Sequence, residues 1–167
     1  MDRMRRGLLR AATLLALAAG GSACQHSTEP TPVVTPIAPA TIIESYSGTL
    51  FAAGSNLHTF AVTKSGEMKV TLTAISTVPV DADPNATPPV AAIPAAPVTA
   101  PMLLTVGQPT LTTLGVQCST LKAVPATAGG TPQLTGQALG GTFCVAISDP
   151  GADLPRASSY AITVAHS

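Results

Sequence analysis

Residues 68–74 read Met-Lys-Val-Thr-Leu-Thr-Ala, a strict alternation of apolar and polar side chains. A period of two places Met68, Val70, Leu72 and Ala74 on one face and Lys69, Thr71 and Thr73 on the other, the signature of a half-buried antiparallel strand. A helix would scatter the same apolar set around its axis. The period recurs along the chain. Phe60 and Val62 oppose Thr59 and Thr63; Phe143, Val145 and Ile147 oppose Cys144 and Ala146; Tyr160, Ile162 and Val164 oppose Ala161 and Thr163. Shorter β-prone runs occupy 41–46, 49–51, 102–106, 111–117, 121–124 and 134–138. Turn chemistry separates them: Gly54-Ser55-Asn56, Ser65-Gly66, Gly107-Gln108-Pro109, Gly129-Gly130 and Asp149-Pro150-Gly151. No stretch after residue 40 sustains a helical period. The expected fold class is therefore all-β, an antiparallel β-sandwich of about eight strands over residues 41–167. Tyr46, Phe51, Phe60, Phe143 and Tyr160 fall in or beside these strands and are expected in the core.

Residues 76–101 break the rhythm with seven prolines, at 79, 84, 88, 89, 94, 97 and 101. Proline removes ladder donors, so a central strand cannot run through this segment. The expectation is a long, extended surface loop or an insert lying along a sheet edge. Within it, Asp81, Asp83 and Asn85 place oxygen-bearing side chains at i, i+2 and i+4, as at the start of a calcium-binding loop. Such a loop needs Gly at its sixth position and Glu at its twelfth, where this chain has Ala86 and Ala92. A polar loop tip is the preferred reading of the three residues, with no metal and no cofactor expected.

The N-terminus carries a different message. Arg3, Arg5, Arg6 and Arg10 precede and enter an apolar run over 8–19, which is too short to span a bilayer comfortably. Gly20, Gly21, Ser22 and Ala23 then lead to Cys24. The arrangement resembles a bacterial lipoprotein signal, which implies cleavage after residue 23 and lipidation of Cys24. The position three before the cysteine is Gly21, where the lipoprotein pattern carries Leu. The alternative is an ordinary secretory signal cleaved after Gly21-Ser22-Ala23; both readings export the chain. Residues 24–40 hold four prolines among Thr and Ser and form an expected disordered, semi-extended tether, reaching roughly 50 Å at polyproline spacing. His26 lies in it.

Three cysteines leave an odd one. If Cys24 takes a lipid, Cys118 and Cys144 remain as a pair in an oxidising compartment, where a disulfide is expected ahead of two buried thiols or a thiol nucleophile. Charge is uneven as well. Four of the eight cations sit in the signal, so Lys64, Lys69, Lys122 and Arg156 face seven carboxylates in the remainder, a net charge of minus three. That leaves no electrostatic footprint for nucleic acid and no polybasic patch for anionic lipid.

Three segments taken together are similar to a known family: Glu44-Ser-Tyr46-Ser-Gly48-Thr-Leu50 with Leu57-His-Thr-Phe60-Ala-Val62, then Met68-Lys-Val70-Thr-Leu72-Thr, then Thr142-Phe-Cys-Val-Ala-Ile-Ser-Asp149 with Ser159-Tyr160-Ala-Ile162-Thr-Val164. They resemble the bacterial pre-peptidase C-terminal domain and its stand-alone relatives in envelope proteins, over roughly 42–166. The resemblance implies a jelly-roll-like β-sandwich serving as an accessory or binding module, with no catalytic residues to transfer. The insert at 76–101 departs from that pattern.

The expected function is a non-catalytic, membrane-tethered module that binds or scaffolds an envelope protein or glycan. The alternative is a secreted carbohydrate-binding or enzyme-accessory module, set back by the lack of Trp for a sugar platform. A small hydrolase ranks below both. His58 is the only histidine well inside the domain, His166 is near the end of the last strand, and neither Gly-x-Ser-x-Gly nor His-Glu-x-x-His occurs. Gln25 after Cys24 differs from the Asp that retains enteric lipoproteins at the inner membrane, so by resemblance the outer membrane is the expected location.

Overall fold

The computed structural model describes residues 40–167. The expected signal, Cys24, His26 and the tether up to residue 39 lie outside the described residues. Eight strands follow one another: β1 (Ile42–Leu50), β2 (Ser55–Val62), β3 (Gly66–Thr77), β4 (Met102–Thr112), β5 (Gly115–Ala126), β6 (Leu134–Ala138), β7 (Gly141–Ser148) and β8 (Ser158–His166). They form two four-stranded sheets, ordered β1-β8-β3-β6 and β2-β7-β4-β5, and every neighbouring pair is antiparallel. The described residues contain no helix. Only the β4–β5 hairpin stays within one sheet; each other connection crosses to the opposite one. Eight strands wound in this order make a jelly-roll sandwich.

Alternation builds the core. Tyr160, Ile162 and Val164 from β8 meet Val70 and Leu72 from β3 on the inner face of one sheet. Phe143, Val145 and Ile147 from β7 and Met102, Leu104 and Val106 from β4 supply the other. Both inner faces exclude water, and burial of these apolar areas drives the sheets together.

The sandwich has two ends. At the entry end, Ile42 pairs with His166, Gly66 with Ala138 and Val62 with Gly141. β4 runs toward the same end, from Leu103 beside Ser148 to Gly107 beside Cys144, and turns at Thr113-Leu114. At the insert end lie the β1–β2 turn, the β7–β8 connection and residues 78–101.

The proline-rich insert is an irregular hairpin. Val80 and Ile93 exchange both backbone hydrogen bonds, as do Asp83 and Val90. Its base is tied down by the Arg156 guanidinium, which donates to Thr77 Oγ1 at 2.9 Å and to the Pro94 carbonyl at 2.8 Å. Val98, at its return, enters the core.

Four expectations change. β3 carries a bulge between Leu72 and Ala74, opposite Ile162 and Ala161. The extra residue reverses the alternation, so Ala74 faces solvent and Ile75 takes the inward place. The strand then continues to Thr77, into the range assigned to the insert. Phe51 is exposed, because Glu44, Tyr46, Gly48 and Leu50 hold the inward parity of β1 and Phe51 falls out of phase at the turn. Pro109 does not end a strand. Beyond Gly107, β4 has no β7 neighbour in its ladder, and an unpaired edge tolerates proline.

Candidate functional site

Two regions gather the side chains with chemistry. The first is a polar seam where edge strand β1 of one sheet faces edge strand β2 of the other. Glu44 and Tyr46 project inward from β1 by the parity that buries Leu50. His58 projects from β2 by the parity of Phe60 and Val62, and Tyr160 and His166 come from β8. His166 is fully buried, and its Nε2 lies 2.9 Å from Glu44 Oε1. The Tyr46 hydroxyl donates a short hydrogen bond to Glu44 Oε2. The Tyr46 ring stacks on the His58 imidazole, centroids 4.9 Å apart. His58 Nε2 is 2.8 Å from the Tyr160 hydroxyl. Gly48 makes room for that phenol: a Cβ there would stand 2.7 Å from the Tyr160 oxygen.

Environment sets the charges. The Tyr46 hydroxyl, followed by His166, holds the Glu44 carboxyl below its ordinary value, although partial burial opposes this. Burial, then the neighbouring Glu44 carboxylate, pushes the Tyr46 phenol well up. Burial lowers His58 and raises Tyr160. The seam thus holds an ionised carboxylate, two neutral phenols and a neutral His58 imidazole near pH 7. The hydrogen-bond partner of His58 is a tyrosine, rather than the serine or carboxylate a hydrolytic pairing would require.

The second region is a groove of about 160 Å³ at the opposite open side, between edge strands β5 and β6. Met68, Val106, Leu134 and Phe143 form its apolar floor, and all four are buried. Leu121, Lys122 and Gln137 stand at its rim. Lys122 Nζ reaches across to the Thr135 carbonyl at 3.0 Å, joining the two sheet edges. Exposed Leu121 beside this apolar floor gives the groove the makings of a binding surface.

The residues singled out from sequence fall into place separately. Cys118 and Cys144 form a disulfide with α-carbons 5.8 Å apart. Cys144 points away from the core yet is fully buried, because β5 folds over it. Asp83 Oδ1 accepts the Asn85 backbone N–H at 2.9 Å, a local turn at the tip of the insert. Among the described residues, no three His, Cys, Asp or Glu side chains are grouped to hold a metal ion. Asp149, wholly buried, accepts the backbone N–H groups of Asp153 and Leu154 and so shapes the β7–β8 connection.

The seam was not read from sequence as a unit. Its signal was present in parity: Glu44 shares the phase of Tyr46 and Leu50, and His166 that of Ile162 and Val164. A charged residue at an inward position calls for a partner, but only the β1–β8 register names it. No protein-family model matches the chain, and no curated protein matches it either.

Proposed function

We propose that this chain is a non-catalytic, membrane-tethered binding module of the bacterial cell envelope. The observation that carries the reading is the β5–β6 groove, an apolar-floored recess open at the side of a jelly-roll sandwich. The sequence readings support it: an export signal ending at Cys24, a Pro/Thr-rich tether, and the resemblance to the pre-peptidase C-terminal domain. The chemistry-bearing groups support it too. His58, His166, Glu44, Asp149 and both domain cysteines are engaged with structural partners. The occupant of the groove is an envelope protein or glycan presenting a small apolar group flanked by acceptors for Lys122 and Gln137.

The test is photo-crosslinking in intact cells. A crosslinking residue replaces Leu121 or Gln137 at the rim, with Ser45 on the far side of the sandwich as control. Adducts at 121 and 137, absent at 45, are the expected result. Equal labelling at all three positions, or none, removes the groove as a binding site. Mass spectrometry of the N-terminal peptide tests the anchor separately: acylated Cys24 is expected, and an unmodified Cys24 in a soluble fraction overturns the tether.

A further inference from the structure

The two ends of the sandwich differ in chemistry. At the entry end, the β4–β5 hairpin passes the last β7 contact and presents Leu111 and Leu114, 85% and 88% exposed, with Val116 beside them. Leu139, 75% exposed, lies in the β6–β7 connection, and Ile43, 69% exposed, at the start of β1. No carboxylate occurs from 107 to 120 or from 138 to 142; Lys64 sits in the nearby β2–β3 connection, and the exposed Glu67 that follows is paired with Lys69 at 2.8 Å. The insert end is the reverse. Phe51, Val80, Val90 and Ile93 are exposed there, but exposed Asp81, Asp83 and Asp153 stand among them. The chain also enters the domain at the apolar end, at Ile42, with Cys24 sixteen residues before Ala40.

We propose that the entry end is a lipid-docking face, with Leu111, Leu114 and Leu139 seated in the headgroup–acyl boundary of the membrane to which the chain is tethered. This rests on the tethered reading above. Charge selects the orientation: an anionic surface repels the three exposed aspartates of the far end and accepts the apolar entry end, where Lys64 and the Glu67–Lys69 pair leave no net negative side-chain charge. The tether supplies proximity, so a modest apolar contact suffices to hold the domain against the bilayer instead of letting it swing free. Val116 and Ile43 extend the same face.

The chain contains no Trp, so a single introduced Trp reports alone. The full chain is produced with its own signal and collected from the envelope. Acylated protein is reconstituted directly into phosphatidylethanolamine–phosphatidylglycerol vesicles. Protein with a free Cys24 is coupled through that thiol to a maleimide-bearing lipid. The domain is then tethered in either case, and failure of native lipidation is distinguishable from failure of docking. L114W and L139W should lose most of their emission to lipids brominated high on the acyl chain, while F51W, at the far end, should not. Water-like, unquenched emission from L114W and L139W on the vesicle overturns the proposal. So does equal quenching of all three variants. A blue shift of L114W without lipid also overturns it; dependence on protein concentration would assign the face to a second copy, and independence would assign it to the chain's own N-terminal segment.

Discussion

Cys118 and Cys144 are joined although β4 runs between the strands that carry them. The order β7-β4-β5 makes β5 and β7 next-nearest neighbours, normally some 9–10 Å apart. Their α-carbons are 5.8 Å apart because β5 folds across β4 at Gly107, where the β4–β5 register shifts. A Cβ at Gly107 would stand 2.0 Å from the Ser119 carbonyl oxygen and 3.0 Å from Cys118 Sγ. Only glycine leaves the crossing open.

Gly107→Ala should therefore destabilise the domain by about 2–3 kcal/mol, since backbone rather than a flexible side chain obstructs the added methyl. Guanidinium unfolding of the oxidised protein reads this directly. An unchanged midpoint would show that β5 does not lie over β4 as described.

Reduction acts through the unfolded chain. Opening a loop closed across 26 residues should remove about 3–4 kcal/mol on the chain-entropy estimate. The check is urea unfolding with and without reductant, repeated on Cys118→Ser/Cys144→Ser. The double variant should match the reduced wild type and ignore reductant.

The polar seam should make the fold acid-sensitive in two windows. Burial lowers His58 from its ordinary 6.5, so the unfolded state binds a proton first and stability falls as pH drops below about 6.5. Glu44, held below its ordinary 4.5, adds a second loss as pH drops below about 4.5 toward its folded value. Tyr160 is raised from 10.0, so its contribution is present below pH 10 and is lost above it, as pH climbs through the folded value. His58→Gln should erase the upper acid window alone. Tyr46→Phe should return the Glu44 carboxyl toward its ordinary value, measured by carbon-13 NMR titration; an unmoved titration would mean that the phenol does not set that charge.

Gly48 and Tyr160 should be coupled. Gly48→Ala pushes a methyl against the phenol oxygen at 2.7 Å, at a cost of about 1–3 kcal/mol. Tyr160→Phe removes that oxygen and leaves His58 Nε2 without its partner. In the double variant the two losses should sum to less than their separate values, as read from a thermodynamic cycle. Strict additivity would place the Tyr160 ring away from Gly48.

Strand content was legible wherever alternation was strong. β6 matches the run at 134–138, and β7 begins one residue before the run at 142–148. The all-β class followed from that periodicity. The reversals trace to features that alternation cannot encode. A bulge at Thr73 swaps Ala74 for Ile75 inside an otherwise perfect pattern, and only its partner strand reveals it. Pro109 reads as a terminator until β7 is known to stop alongside Gly107. The disulfide was legible from counting cysteines, but its passage over Gly107 was not. The seam depended on residues more than a hundred positions apart, such as Glu44 with His166 and His58 with Tyr160, which no local pattern brings together.

Among the described residues, β8 lies between β1 and β3 and is the only ladder partner of β1. The first sheet therefore cannot be completed until the eighth strand has been synthesised, although β3 and β6 can pair before it. Until then β1 and β3 wait without their common neighbour, and after the irregular hairpin of the insert the earliest ladder between two of the eight strands is β4–β5. Such late, long-range closure makes folding slow and leaves a nascent chain extended for a long interval. Removing β8 would do more than shorten the domain: it would strand β1 altogether and take with it His166 and Tyr160, the two ends of the polar seam.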